Sequence, residues 1–248
     1  MLMSPVLFAA SERWLIPRLT RKTPARPYDV IEPQAAPVII AGLGRVGQIV
    51  ARVLRMQGIA FTALEKDSEQ VETVRRYGNQ VFFGDPSRVE VLRAAGADQA
   101  RLLVLAMGDL KESLEIVETV KREFPGLQVI AAARDRYHVH QLMDRGVSNI
   151  VRETYHSSLA IAEEALKALG HPPERARRDV RLFRDHDEAL LVEQNAFYED
   201  EKAMIQSTRH AAEELAGLLE ADRVRAGLPG VPAIATPPPK PARRKRAK

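Results

Sequence analysis

The chain has 248 residues, 45% hydrophobic and 28% charged, which is enough for one domain with a buried core plus appendages and is the balance of a soluble globular protein. It has no cysteine, which excludes disulfides, thiolate metal sites and cysteine nucleophiles. The net charge of +4 comes from the C-terminus: six Lys and Arg residues and no acid lie between Thr236 and Lys248, so the remaining chain is slightly negative.

The first 37 residues have the composition of an apolar and basic segment followed by a linker. Met1–Ala10 is apolar and basic residues follow it, which is the reverse of the order in a signal peptide. This order resembles the cytoplasmic end of a membrane helix, and a mobile N-terminal extension is an equal alternative. Residues 20–37 contain four prolines and are predicted to form a linker. No run of about 18 apolar residues occurs, so no membrane crossing is predicted.

From Val38 onward, short apolar strands alternate with amphipathic helices. Val38–Ala41 is the first strand, and the helical pattern after Gly42 ends at Gly58. Because parallel strands need crossover helices, residues 38–170 are predicted to be an α/β, Rossmann-like doubly wound parallel sheet of about six strands. The other strands are predicted at residues 61–64, 80–83, 102–106, 129–133 and 149–151, and the other helices at residues 68–77, 89–95, 110–124, 137–145 and 154–169.

The composition changes after Gly170. Residues 171–228 are charged and rich in Ala and Leu, and they are predicted to be a helical extension with one or two amphipathic helices from Asp179 onward. Residues 229–248 are basic and rich in proline, and a disordered tail is predicted. Weak attraction of this tail to anionic lipid or nucleic acid is the alternative to a merely solvated end.

A G-x-G-x-x-G motif follows the first strand and opens a helix, which is the context that nucleotide binding requires. Gly42 permits the tight turn, Gly44 lets the backbone approach a pyrophosphate, and Gly47 lets helix and strand pack closely. The helix N-terminus attracts the phosphate charge. Glycines used only for packing are the alternative. The six residues of the motif are Gly42, Leu43, Gly44, Arg45, Val46 and Gly47.

Acidic residues end the second and third strands. Glu65 lies 18 residues after Gly47, where a carboxylate accepts hydrogen bonds from the ribose hydroxyls of adenosine and repels a 2′-phosphate. Glu65 therefore favours NAD(H), AMP or another adenine nucleotide over NADP, although the neighbouring Lys66 weakens this preference. The alternative is that Glu65 is an ordinary solvated acid at the end of a strand. After Gly84, Asp85 either faces the adenine or ribose, or caps a helix whose first turn begins at Pro86.

Arginines at the strand ends are candidates for anion binding. Arg45 and Arg134 follow the first and fifth strands, and the fork of donors in each suits a phosphate or a carboxylate-rich ligand. Arg134 has an alternative partner in Asp135. Asp109, after the fourth strand, is predicted to be a helix cap rather than a ligand contact.

The sequence offers no catalytic constellation. It has no nucleophile elbow and no P-loop lysine, and its scattered histidines do not predict a metal site. Only about 80 residues follow Gly170, and they do not have the pattern of a substrate domain. A Rossmann unit of this kind favours sensing over catalysis. A small NAD-dependent oxidoreductase is one alternative, and a redox-sensing regulator with a nucleic-acid-binding tail is another, although no helix-turn-helix is apparent.

Four stretches together resemble a known family. They are VIIAGLGRVGQIVARVL from Val38, LEKD at Leu64–Asp67, FGDPSR ending at Arg88, and RETYHSSLA at Arg152–Ala160. They are similar to the potassium-transport nucleotide-binding domain, also called the TrkA-N or RCK N-terminal domain. The most similar form is the C-terminal cytoplasmic domain of Kef-type glutathione-regulated potassium/proton efflux antiporters, and the resemblance covers about residues 1–195.

The resemblance implies a regulatory, non-enzymatic domain that binds AMP or NAD(H), forms a homodimer and controls potassium efflux. Its partner would be a membrane antiporter domain or subunit, and its location the cytoplasm, at or fused to the inner face of the cell membrane. No specific nucleic-acid partner is implied. The chain is then either a separate regulatory subunit or part of a longer antiporter, and the abrupt hydrophobic start favours a split or truncated origin.

Glutathione is implied as a second regulatory ligand. Arg134 matches the second arginine of an A-R-A-R-D stretch of the family, where the first arginine is replaced here by Ala132. Asp187 lies in a segment that resembles the F-R-R-x-N/D region of the family near the glutathione site, with Asp185 in place of an arginine. Nucleotide binding is therefore the firmer expectation of the two.

Overall fold

The computed structural model describes residues 27–30, 36–77 and 80–225. The predicted apolar N-terminal segment and the predicted basic tail lie outside these residues. The chain divides into two compact units, one ending at His156 and the other beginning at Ser157. The finer division at residues 37, 170 and 228 remains a prediction. Within the described residues, no helix is both long and apolar enough to cross a bilayer.

The first unit is built on a six-stranded parallel sheet with the strand order β3-β2-β1-β4-β5-β6. The predicted Rossmann-like doubly wound sheet is therefore confirmed. The chain changes the direction of strand addition between β1 and β4, so the switch point of the sheet lies between these two strands. The strands are β1 Val38–Ala41, β2 Phe61–Glu65, β3 Phe82–Phe83, β4 Leu102–Leu105, β5 Gln128–Ala133 and β6 Asn149–Arg152.

Helices connect the strands and cover the sheet. The central strand β1 is buried along its whole length, as expected for a parallel sheet with helices on both faces. The helix Leu110–Glu123 contributes Ile116, Val117 and Val120 to the core, each with no exposed surface. The helices of this unit are α1 Arg45–Met56, α2 Ser68–Arg76, α3 Val89–Ala94, α4 Leu110–Glu123 and α5 Arg136–Asp144, and α6 Tyr155–Ala168 begins just before the boundary between the units.

The third strand is shorter than the predicted residues 80–83. Only Phe82 and Phe83 pair with β2, opposite Leu64 and Glu65. The outer side of β3 contacts a piece of the predicted linker: the Asp29 N–H donates to Phe83 O at 3.0 Å, and its carboxylate accepts from Phe83 N at 2.5 Å and from Arg75 at 2.6 Å. The composition of the linker did not predict this attachment.

The second unit contains two long helices, α7 Pro173–Gln194 and α8 Glu201–Arg225. They pack antiparallel, because Gln194 donates to Ser207 at 3.2 Å while His186 lies 3.6 Å from Glu214. The side chain of Gln194 is 1% exposed, so this polar contact is buried between the helices. Helix α7 begins six residues before the predicted Asp179, since proline is well tolerated in the first turn of a helix.

Candidate functional site

The candidate site lies at the carboxyl edge of the sheet, at the switch point beside β1. Gly42 follows β1 with a φ of +92°, and a Cβ at this position would lie 2.8 Å from both Ala106 O and Met107 Cγ. A Cβ at Gly47 would lie 2.0 Å from Gly42 O. Both positions therefore require glycine for the turn itself and for the approach of α1 to the strand.

Gly44, between them, has a different environment. Its φ of −73° and ψ of −153° are accessible to any residue, and a Cβ there would meet no atom within 4 Å. Neither the backbone conformation nor the packing of the described chain requires glycine at this position. The space beside Gly44 is open at the point where a pyrophosphate would approach the motif.

The N-terminus of α1 has no acidic residue of its own and no side-chain cap. Gly44 is its N-cap residue and provides no side-chain hydrogen bond, and the first turn contains no acidic residue. Helices α2, α4 and α5 are instead capped by the carboxylates of Asp67, Asp109 and Asp135. Because the first N–H groups of a helix have no partner within the helix, those of α1 are suited to an anion. The cap predicted for Asp109 is present in the structure.

Glu65 lies directly beside the glycine turn and is 8% exposed. Its Oε2 accepts from Leu43 N at 2.8 Å, and its Oε1 accepts from Asp67 N at 3.0 Å. An ionised carboxylate offers about four lone-pair sites, so it can accept further hydrogen bonds from a ligand. The arrangement fixes a negative charge next to the open end of α1, in the position where ribose hydroxyls would lie.

Two glutamines that the sequence analysis did not single out donate to the carbonyl of the same residue, Leu43. Gln48 Nε2 donates to Leu43 O at 3.1 Å, and Gln70 Nε2 donates to it at 3.2 Å. Gln48 directly follows the glycine motif, so its position in the sequence indicated a residue close to the turn. Gln70 lies in α2, and no local pattern indicated its contact. Together with Glu65, these contacts make the first half of the glycine turn rigid.

Lys66 does not stand free beside Glu65. Its ammonium forms an ion pair with Glu112 in the first turn of α4, and this hydrogen bond raises the pKa of Lys66 above its usual value. Because Lys66 follows β2 and α4 follows β4, the ion pair reaches across the end of β1, which lies between these strands. The sequence analysis named Lys66 only as a neighbour that weakens the preference of Glu65 against NADP, and the ion pair with Glu112 was not predicted.

Asp85 is half-buried and shapes a turn. Its Oδ1 accepts from Ser87 N at 2.9 Å, and Arg88 N donates to Asp85 O at 3.1 Å. Helix α3 begins at the predicted Val89 with Arg88 as its N-cap, so the helix cap, one of the two alternatives for Asp85, is not present. Gly84 permits a close approach of Val91, whose Cγ1 would lie 2.9 Å from a Cβ there.

The arginines occupy different surroundings. Arg45 is exposed in the first turn of α1. Arg134 follows β5 at the same edge of the sheet; its side chain is 63% exposed and its Nε lies 3.3 Å from Asp135 Oδ2, so the alternative ion pair is present. Asp187 is half-buried on α7, in the second unit. The first unit thus contains all predicted nucleotide contacts, which lie at the carboxyl ends of β1, β2 and β3.

Two families match successive parts of the chain. Residues 38–153 match the TrkA-N domain, and residues 157–230 match the potassium efflux system KefB C-terminal domain. The chain is 36% identical over 204 residues to the glutathione-regulated potassium-efflux system protein KefC of Escherichia fergusonii. This alignment covers 82% of the chain and 33% of KefC, so the chain spans about a third of the length of that relative.

One similar solved structure is the Kef C-terminal domain of Shewanella denitrificans in an AMP-bound form, with 42% sequence identity and a TM-score of 0.59. The match covers 64% of this chain and 97% of the Shewanella denitrificans chain. The chain belongs to the Kef C-terminal domain family. The resemblance to the Kef-type cytoplasmic domain that the sequence analysis predicted is therefore confirmed. A second solved structure, the TrkA-N domain of the inner membrane protein ybaL of Escherichia coli, has 24% sequence identity and a TM-score of 0.46. The match covers 51% of this chain and 93% of the ybaL chain.

Proposed function

We propose that this chain is a ligand-sensing regulatory domain that controls potassium efflux through a cation/proton antiporter. Membership of the Kef C-terminal domain family supports the class of function. The relative KefC, which is three times as long as the matched part, supports a membrane antiporter as the partner, on the same polypeptide or as a separate subunit. The domain would then act in the cytoplasm, at the inner face of the cell membrane.

We propose further that the crevice at β1 binds an adenine nucleotide, AMP or NAD(H). The observation that carries this proposal is Gly44, which lies at an uncapped helix N-terminus and has open space where its side chain would be. The phosphate would contact the first N–H groups of α1, and Glu65 would accept from the ribose hydroxyls. Lys66, Gly84 and Asp85 border the same edge. The AMP-bound form of the Shewanella denitrificans domain supports this choice of ligand.

Glutathione is proposed as a second regulatory ligand, with Arg134 of the first unit as the candidate contact for one of its carboxylates; Asp187 of the second unit stays a separate candidate that the resemblance alone suggests. The name of the KefC relative supports glutathione regulation of the system. A ligand carboxylate at Arg134 would compete with Asp135, whose Oδ2 lies 3.3 Å away. Since Ala132 replaces the first arginine of the A-R-A-R-D stretch of the family, we expect weaker glutathione binding than nucleotide binding. Either ligand changes gating only if it binds the two states of the antiporter with different affinity.

The proposed homodimer has support in the exposure of α6. No residue of this helix is buried. Ile161 within the helix is 70% exposed, and Leu169, the residue after its end, is 79% exposed. Large exposed apolar side chains on one helix are typical of interfaces between subunits. Light scattering of the purified protein should give twice the chain mass, and Ile161→Asp should lower it to one chain. A monomeric wild-type protein would contradict the dimer.

We propose that the domain senses its ligand and does not transform it. Both oxygens of Glu65 already accept hydrogen bonds from backbone N–H groups, which suits a fixed binding contact better than proton transfer. Incubation with NADH and a panel of carbonyl substrates should give no oxidation above background. Turnover that disappears in Glu65→Gln would instead support a small oxidoreductase.

Thermal unfolding with a set of ligands tests the nucleotide site. A ligand at 100 times its Kd that binds only the folded chain stabilises it by about 2.7 kcal/mol. We expect stabilisation by AMP or NADH, less by NADP, and a separate increment with glutathione or a bulky glutathione adduct. Gly44→Asp should lose the nucleotide effect through bulk and charge at the phosphate position.

Gly126→Asp is the matched control for this experiment. Gly126 also has no atom within 4 Å of its Cβ position, but it precedes β5 at the opposite edge of the sheet. Its variant should therefore respond to AMP as the wild type does. An unchanged AMP response in Gly44→Asp would refute the crevice assignment, and a lost response in both variants would show that the added charge acts nonspecifically.

A further inference from the structure

A buried histidine connects two loops at the carboxyl edge of the sheet. His138 lies in the first turn of α5, and its side chain is 1% exposed. Its Nδ1 lies 3.2 Å from the backbone N of Arg134, and its Nε2 lies 2.7 Å from Ser113 Oγ. Arg134 directly follows β5, and Ser113 lies near the start of α4, which follows β4. The ring thus joins the ends of two neighbouring strands.

The partners of this ring determine where its proton lies. A backbone N–H can only donate, so the Nδ1 of His138 is the acceptor for Arg134 and carries no proton. The proton is therefore on Nε2 and is donated to Ser113 Oγ, whose hydroxyl in turn donates to Leu110 O at 2.8 Å. Each donor in this chain has an acceptor while the ring is neutral. A proton added to Nδ1 would point at the Arg134 N–H and remove its acceptor.

The charges that face the ring come from three elements. Burial has the largest effect and lowers the pKa of His138 below its usual value of 6.5. Asp135 at the start of α5 and Asp109 at the start of α4 favour protonation, whereas Arg134 at the end of β5 opposes it. The lowered pKa keeps the ring neutral at pH 7, the state in which Nδ1 accepts.

We propose that His138 is a positioning residue for the loop after β5: its neutral ring fixes the backbone of Arg134, so that the Arg134 side chain meets an anionic ligand from a defined position. The ligand in this inference, a carboxylate-bearing molecule such as glutathione, rests on the proposed function. The hydrogen-bond chain itself does not depend on it. Acid removes the acceptor and releases the loop after β5, so affinity for the anion falls as the ring becomes protonated.

Amide hydrogen exchange of the full chain tests the positioning role without any ligand. At pH 7 the Arg134 amide should be protected in the wild type. In His138→Leu, which removes the acceptor, we expect exchange about threefold to tenfold faster than in the wild type, the scale of one hydrogen bond. In His138→Asn, the amide oxygen replaces Nδ1 and does not titrate, so protection should persist. Ser113→Ala is the control that leaves Nδ1 in place, and the Arg134 amide should stay protected.

The pH profile distinguishes positioning from a merely structural role. Protection of Arg134, corrected for intrinsic exchange, should fall in acid for the wild type and remain constant for His138→Asn. The affinity of glutathione, measured by calorimetry, should follow the same two profiles. Equal protection of Arg134 in His138→Leu and in the wild type, or the same acid loss in His138→Asn, would overturn the proposal. A wild type that shows the exchange behaviour but binds no glutathione would refute only the proposed ligand.

Discussion

Helices α1 and α4 leave the two central strands of the sheet, yet they begin in opposite ways. Helix α4 starts from Asp109, whose carboxylate accepts from Glu112 N at 3.0 Å, and its first turn contains an acid. Helix α1 starts from Gly44, with no side-chain cap and no acid in its first turn. Two helices with equivalent places in the fold therefore differ in whether an anion can reach the N-terminus. The residues at the cap, and not the topology, therefore determine which of the two helix N-termini has N–H groups open to an anion.

The largest effect is expected from Gly47→Ala, which breaks the approach of α1 to β1. A Cβ there would lie 2.0 Å from Gly42 O, a backbone atom that cannot move aside cheaply. We expect a loss of about 3 kcal/mol or more in the free energy of unfolding, the upper range for overpacking. Urea denaturation measures this loss. Gly44→Ala, three residues earlier in the motif, is the matched control and should cost about 1 kcal/mol or less, because its Cβ would meet no atom within 4 Å and only the preference for glycine over alanine at a helix N-cap is lost.

Glu65→Ala sharpens the comparison by removing the acid beside the open N-terminus of α1. The variant loses the acceptor for the ribose hydroxyls, and we expect AMP binding to weaken by about 1–3 kcal/mol, the scale of a hydrogen bond to a charged group. Titration calorimetry with AMP gives the value. An adenosine analogue without ribose hydroxyls should lose less affinity, and an equal loss for both ligands would contradict the proposed contact.

Asp109→Ala makes the start of α4 resemble that of α1. Removal of this cap should lower the free energy of unfolding by about 1 kcal/mol, because the Glu112 N–H loses its acceptor. AMP affinity should stay at the wild-type value if α1 alone holds the phosphate. Urea denaturation and calorimetry on the same sample separate the two effects, and a marked fall in AMP affinity would place Asp109 within the site.

The smallest effect is expected from Glu112→Gln, which releases Lys66 from its ion pair across the end of β1. A free Lys66 can approach a 2′-phosphate, so affinity for NADP should rise relative to NAD. Since the pair is partly exposed, its coupling is worth less than about 1 kcal/mol, and the NAD to NADP ratio should change by about fivefold or less. A ratio that does not move would show that Lys66 has no part in the discrimination.

The sequence was sufficient for the features that depend on local pattern. The alternation of apolar runs and helical stretches predicted the doubly wound sheet, and β1 Val38–Ala41 was predicted with its observed bounds. The glycine motif was located in the correct strand-to-helix context. These features follow from side-chain periodicity and from glycine conformations, both of which are encoded within a few residues.

The features that the sequence did not predict depend on distant residues or on competing local structures. The pair of Lys66 with Glu112 spans 46 positions, and the contact of Ser113 with His138 spans 25, so no local pattern links them. At Asp85, the following Pro86 left a helix cap open as an alternative, but the Asp85 side chain makes a turn with Ser87 instead, and α3 begins at the predicted Val89. Aspartate and proline favour both structures, so the local sequence does not select between them.

The attachment of Asp29 to β3 determines how this protein can be shortened. An edge strand that lacks a neighbour presents unpaired backbone groups, which promote aggregation between chains. Here the Asp29 backbone and carboxylate satisfy both the O and the N of Phe83, and the Tyr28 ring lies 5.4 Å from the Phe83 ring. A chain cut just before Val38, where the sheet begins, would uncover that edge and aggregate, whereas one that retains Tyr28 and Asp29 would remain monodisperse.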